Sequence, residues 1–442
     1  MPDSPANDAT QRRLPLPEGT LPVGVGVIIS GITSYAFFKV GQEALGKEAF
    51  KPVMTLWFVA YTLVPGFFIP VEQELGRALA DRRARNVGGM PVVRRVSGLA
   101  ATLVALIVVA VIAGSGWMTE HMFEGNTVVT IALLGAVVSY ALAHIAKGIS
   151  SGSGRFPAYG IILGGDAAIR ITACTVLWLA GVTNVGLYAL TMAASPFLAV
   201  AIVFARRDLR ADDGPTITLR EVTPNLGWLL IGSFMSAALV NAGPLGVDVL
   251  ATSAEAAKVT AFGNGVILAR IPLFMFQAIQ AALLPRLARL VAEGNLAEFR
   301  HSFNRLMAVV GGLAVAGAVG TYVVGPKVLE IIYGGGLNGR TLGLLAVSSG
   351  LYMLAQSCAQ AVIALHGHRQ VAIGWLASAT TFVGVTAVIS DDLYMRVELG
   401  LVFGCAVAFV FFLTAMRARI ASGATVDVQS LVEGVLDSPL EG

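Results

Sequence analysis

The chain has 442 residues, 56% hydrophobic and only 13% charged, with a net charge of +3 and a mean hydropathy of +0.76. Soluble domains carry about 25% charged residues, so the composition excludes a water-soluble enzyme or binding module and predicts an all-α polytopic membrane protein. Cys174, Cys358 and Cys405 all fall in apolar runs, which predicts small core residues rather than a disulfide or metal framework.

A window of about 20 apolar residues spans a bilayer. Residues 1–20 are polar and proline-rich, read as a cytoplasmic tail and not as a signal peptide. Twelve spans follow, at 21–38, 52–71, 96–117, 126–143, 156–182, 184–205, 226–247, 259–284, 306–324, 341–365, 371–390 and 399–416. The first has no acid and no cation before Lys39, which lies with Glu43 near its outer end, where long side chains snorkel. Pro65 and Pro70 interrupt the second, and Glu72 and Glu74 close it as a solvated helix end. The basic stretch 77–95 reads as a helix lying on the anionic inner leaflet.

Asp166 and Arg170 are four residues apart in the fifth span, so they share a helix face and can pair. The polar segment 206–225 is the best internal boundary; it separates an N lobe (21–205) from a C lobe (226–416). The seventh span carries Asn241 and Gly243-Pro244, with Asp248 at its outer end, near the interface like Lys39 and Glu43 and expected to snorkel there. The eighth carries Arg270, Pro272, Gln277 and Gln280. Arg270 lies at mid-bilayer depth, where an ion must face protein, water or ligand, and Pro272 removes a backbone hydrogen bond and bends the helix. Segment 286–305 reads as a second surface helix, broken at Gly294, and 417–442 as a cytoplasmic tail.

The cations test this order. With the N-terminus inside, twenty-one of the thirty lysines and arginines fall in cytoplasmic segments and six in external ones. Lys39, Arg170 and Arg270 remain in or at the edge of spans. A bias that alternates loop by loop places both termini in the cytoplasm; the chain is expected in the cell's plasma or inner membrane. Two halves of six spans predict a parallel repeat about the membrane normal. Pro65-Gly-Phe67 with Gln73 matches Pro272-Leu-Phe274 with Gln280, and Tyr140-Ala-Leu142-Ala143 matches Tyr352-Met-Leu354-Ala355. Interrupted helices at corresponding places point to a central site, which makes Pro65, Pro244 and Pro272 the hinge candidates.

No nucleophile motif, metal-ligand spacing or phosphate loop is present, so a non-enzyme without cofactor is expected; nothing points to nucleic acid. The cavity candidates are Arg270, Arg170, Asp166, Gln277, Gln280 and Asn241. Arg170 and Arg270 suit an anionic group. Asp166 either holds Arg170 or takes part in proton or sodium coupling, and the amides either glue helices or bond sugar hydroxyls. Short external loops leave no room for a glycosyltransferase site.

Several segments carry a family resemblance. They are Arg270-Ile-Pro272-Leu-Phe274, Leu283-Leu-Pro285-Arg-Leu-Ala-Arg289, the stretch from Ala292 to Arg300, Leu329-Glu-Ile-Ile-Tyr-Gly334 before Leu344-Leu-Ala346, and Gly154-Arg-Phe-Pro-Ala-Tyr159. In these the chain resembles the multidrug/oligosaccharidyl-lipid/polysaccharide (MOP) exporter superfamily, nearest its polysaccharide-export, Wzx-like flippase branch. The resemblance implies a MATE/MOP-like fold of two six-helix lobes around a cavity that opens alternately to each side. It further implies a flippase that moves a polyprenyl-pyrophosphate-linked glycan to the outer leaflet, beside glycosyltransferases or a polymerase of the same pathway, with Arg270 and Arg170 meeting the pyrophosphate. The alternative within the fold is a MATE-like drug or metabolite antiporter; the drug-exporting branch tends to use a first-span acid, which 21–38 lacks.

Overall fold

The computed structural model describes residues 20–217, 226–273, 276, 290 and 293–422. Gln277, Gln280, Arg286 and Arg289 lie outside the described residues, as do 1–19, 218–225 and 423–442 of the tails and connection. Among the described residues all regular structure is helical, in twelve α-helices. They are α1 (Thr20–Leu45), α2 (Lys51–Ala84), α3 (Met90–Trp117), α4 (Thr127–Gly152), α5 (Phe156–Leu179), α6 (Val185–Ala205), α7 (Leu226–Leu250), α8 (Ala256–Ala269), α9 (Leu296–Tyr333), α10 (Gly339–Ala364), α11 (His368–Val388) and α12 (Leu393–Ala421). Eleven of them are long and apolar enough to cross a membrane; the exception is the 14-residue α8.

Side-chain caps fix several starts. Asn126, Asn184, Asn295, Asn338 and Asp392 each accept a backbone N–H in the first turn of α4, α6, α9, α10 and α12, meeting donors that have no partner inside the helix. The cysteines are free and buried, as small core residues.

Both expected surface helices are corrected. Residues 77–84 continue α2 and 90–95 begin α3; residues 296–305 are the first turns of α9, which runs unbroken to Tyr333. Their mixed composition reflects long helices leaving the apolar zone, which a hydropathy window cuts at the first charged residue.

The helices pack as two equivalent lobes. In the first, α1 lies against α5, α2 against α4, and α4 and α5 against α6. In the second, α7 lies against α11, α8 against α10, and α10 and α11 against α12. Small residues permit the closest approaches: a methyl group on Gly148 of α4 would sit 2.9 Å from the Glu72 carbonyl oxygen of α2.

The lobes meet along α2 and α7. One face of the molecule carries the start of α1, the α2–α3 and α4–α5 turns and residues 206–217 after α6; we call it the terminal face, and the other the distal face. Toward the distal face one apolar cluster runs through both lobes, joining Phe37, Phe50 and Trp57 to Val247, Phe262, Leu342 and Leu401. Within the N lobe the same cluster continues to the terminal face through Leu75, Leu79, Val92 and Ile149. The C lobe there has a separate cluster around Phe303, Met353 and Phe412, and a small third one lies around Ala146 and Ile162. The lobes thus share one apolar core at the distal side and have separate cores at the terminal side.

Candidate functional site

The break in the eighth predicted span lies where Pro272 requires it. Helix α8 ends at Ala269, Arg270 is its C-cap, and the Arg270 amide turns back to the Ile267 carbonyl at 3.2 Å. Proline cannot donate to the ladder and its ring collides with the carbonyl four residues before. The ring is wedged against α9, where a methyl group on Gly317 would sit 2.5 Å from Pro272 Cγ. Pro65 and Pro244, by contrast, lie inside continuous α2 and α7.

The Arg270 side chain reaches α7. Its Nη1 donates to Asn241 Oδ1 at 3.2 Å and its Nη2 to the Val240 carbonyl, with the guanidinium 5.6 Å from the Phe58 ring centre. Asn241 is fixed from its other end, donating to the Tyr61 carbonyl of α2 at 3.1 Å. No carboxylate pairs with Arg270 among the described residues. It borders a small pocket walled mostly by Leu239, Val266, Leu345 and Leu401, with Ser348, Ser349 and Tyr352 as further polar groups. An apolar pocket with one cation and a few hydroxyls at its edge can hold an anionic group attached to something apolar.

Arg170 lies elsewhere. It is fully buried within the N lobe, its guanidinium 4.8 Å from the Trp57 ring centre and 5.9 Å from that of Phe37. Nη1 donates to the Tyr140 hydroxyl at 2.6 Å and approaches Asp166 at 3.4 Å. Asp166 also accepts from Ser195 Oγ at 2.6 Å and from Tyr140 at 3.3 Å. The carboxylate expected beside Arg170 is there, and it is occupied on every side. Nε and Nη2 of Arg170 find no hydrogen-bond partner among the described residues; the aromatic faces add attraction for the charge. The two arginines therefore sit in different lobes, linked by the contiguous rings of Phe37, Phe38, Trp57 and Phe58.

Two further clusters correct the sequence reading. Asp248, expected to snorkel at an interface, is buried and pairs with Lys51 at 2.9 Å, accepting also from Thr55 Oγ1 at 3.2 Å. Glu72, expected to be a solvated helix end, is buried between α2, α4 and α5. It contacts His144 Nδ1 at 2.6 Å, Lys147 Nζ at 2.9 Å and the Tyr159 hydroxyl at 2.8 Å. The available signal was the i, i+3 spacing of His144 and Lys147 just beyond the fourth predicted span; what hid it was that spans two and four looked finished at Val71 and Ala143. Lys39 and Glu43 stay exposed, as expected of an interface position, and pair with each other.

Polar bonds across the lobes repeat with the fold. The Tyr35 hydroxyl of α1 donates to the Ile267 carbonyl of α8 at 2.9 Å, and Asn241 of α7 donates to the Tyr61 carbonyl of α2. Donors (35 and 241) and acceptors (61 and 267) are both 206 positions apart. Gln42 and Asn264 exchange two amide bonds, at 2.8 and 2.9 Å.

No family model matches the chain. Proteins of Mycobacterium tuberculosis and Mycobacterium bovis, both described as uncharacterized, are 27% identical over 418 residues, covering 89% of this chain and 91% of their own length. Among solved structures, an inward-facing multidrug resistance MATE family transporter of the MOP superfamily superposes with a TM-score of 0.72 at 15% identity, over 93% of this chain and all of the other. The outward-facing form of such a transporter gives 0.69 at 15% identity, over 92% and 95%. A MATE transporter of Vibrio cholerae gives 0.64 at 14% identity, over 90% and 96%. The fold is that of the MATE transporters.

Proposed function

We propose that this chain is an alternating-access membrane transporter whose substrate is anionic and attached to an apolar body. Within that class we propose a flippase for a lipid-linked oligosaccharide or cell-envelope polysaccharide precursor. Arg270 carries the reading. It is a cation at membrane depth with no carboxylate beside it among the described residues, placed at a helix break and bordering an apolar pocket. An ion at that depth costs at least a few kcal/mol unless water or an opposite charge meets it, and a substrate phosphate would supply that charge. The division of the core at the terminal face supports one of the two access states. If the charge bias of the loops sets the orientation, this state opens to the cytoplasm, where lipid-linked precursors are built. Arg170, enclosed in the N lobe, is a positioning residue in this reading.

A second reading, a drug or metabolite antiporter, is favoured by the fold, which multidrug resistance transporters share. Arg270 would repel the cationic compounds such an antiporter could carry, so it ranks below the first.

The test is mass spectrometry of polyprenyl-linked glycans in cells depleted of this protein, with an impermeant lectin reporting sidedness. One completed intermediate should accumulate on the cytoplasmic side, and Arg270→Glu should fold, insert and fail to restore export. Absence of any accumulation, with dye efflux from vesicles instead, would establish the antiporter. Full complementation by Arg270→Glu would remove Arg270 from the site.

A further inference from the structure

The N lobe contains two buried carboxylates with different surroundings. Asp166 is met by a permanently charged arginine and by two hydroxyls. Glu72 is met by three groups that all titrate: imidazole, ammonium and phenol. Glu72 comes from α2, His144 and Lys147 from α4, and Tyr159 from α5. Among the described residues no other charged side chain bonds to these four. The neighbouring charges on α2, Glu74 and Arg77, bond to each other, and Arg155 at the head of α5 donates to the Asp208 and Arg210 carbonyls. Lys147 also lies 5.7 Å from the Tyr159 ring centre, and the His144 ring stacks on Phe68 at 6.4 Å.

With Glu72 ionised, Lys147 charged and His144 neutral, the cluster has no net charge. Neutral His144 then donates from Nδ1 to Glu72 Oε2, which leaves the lone pair on Nε2. A proton added at Nε2 gives an imidazolium that keeps the Nδ1 bond, strengthened by charge. Lys147 stays on Oε2 and Tyr159 on Oε1 of Glu72 throughout, so the cluster gains one charge without losing a contact. Lys147 and Tyr159 are only partly buried, and both lie toward the terminal face, where the core has divided.

The cluster is mechanically placed as well. The polar contact nearest to it between the lobes, Ser233 Oγ to the Pro65 carbonyl, and the Phe67–Phe234 ring stack at 4.6 Å are both one to two turns away on the same helix. A change of charge at Glu72 therefore acts on the helix that holds the lobes together.

We infer that Glu72 and His144, supported by Lys147 and Tyr159, form a reversible proton-binding site of the N lobe, and that its occupancy biases the contact of α2 with α7. The site makes the proton the coupling ion of the proposed transport, but proton binding itself does not rest on the identity of the substrate.

The experiment uses the full chain in lipid nanodiscs with ¹⁵N-labelled histidine, the His144 signal being the one lost in His144→Gln. Its ring should titrate between about pH 5 and pH 8, the range open to imidazole. In Glu72→Gln its proton-binding constant should fall about tenfold or more, because an opposite charge in contact is lost while Lys147 remains. Glu74→Gln, altering the separate pair on α2, should leave it unchanged. A His144 ring that keeps one charge state over that range, or one indifferent to Glu72→Gln, overturns the site. In the second arm, spin labels at Ala80 and Arg417, both exposed on the terminal face, report the separation of the lobes in a cysteine-free chain. The distance distribution should change with pH, and His144→Gln should abolish the change. A pH response that survives His144→Gln overturns the coupling, and loss of glycan export in an Arg270 variant bears on neither arm.

Discussion

Lys51 and Asp248 join the two lobes through a 2.9 Å ion pair in which the carboxylate side chain is 1% exposed and the ammonium 8%. Both residues sit at helix ends that sequence assigned to the membrane surface, where they would be solvated. The lobes instead close over them, and Thr55 and Glu124 complete the shell. Removing one partner of a buried pair leaves the other charge uncompensated, at about 3–5 kcal/mol. Asp248→Ala should therefore lower thermal stability in detergent by that amount, whereas Lys51→Met with Asp248→Leu should recover most of it. A double-mutant cycle read by thermal unfolding checks this; additive losses would show that the pair is not coupled.

The Arg170–Asp166 pair predicts a different pattern. Arg170 is wrapped by Trp57, Phe37 and Tyr140 and reaches no open surface. Arg170→Gln should destabilise by about 3–5 kcal/mol because Asp166 loses its counter-charge. Asp166→Asn with Arg170→Gln should restore both the fold and transport. Restored stability with transport still absent would instead assign the pair a direct part in transport.

Pro272 and Gly317 set the break at Arg270. A side chain on Gly317 has no room beside the proline ring, only 2.5 Å from where its first carbon would lie. Gly317→Val should overpack the seam between α8 and α9, at about 1–3 kcal/mol, and displace Arg270 from Asn241. The measurable result is a lower melting temperature together with loss of export, and Pro272→Ala in the same chain should relieve part of both. Wild-type melting and export in Gly317→Val would mean that α9 yields at no cost.

Much of this was legible in the sequence, and the reasons are physical. Twenty apolar residues must span a bilayer because every backbone polar group has to be satisfied inside the helix, so composition and window length alone determined an all-helical membrane protein. Pro272 fixed the break at Arg270 through the missing N–H, and the four-residue spacing of Asp166 and Arg170 fixed their shared face. Local rules of this kind need no partner helix. Which lobe enclosed each arginine did need one: Arg170 is shut inside because Trp57 and Phe37 arrive from α2 and α1, while Arg270 meets α7 and an apolar pocket. Glu72 and Asp248 were misplaced for the same reason, since a charged residue at the edge of a hydropathy window reads as solvated until another helix covers it. Burial of an ion belongs to the packing of several helices at once, and only the tertiary structure decided it.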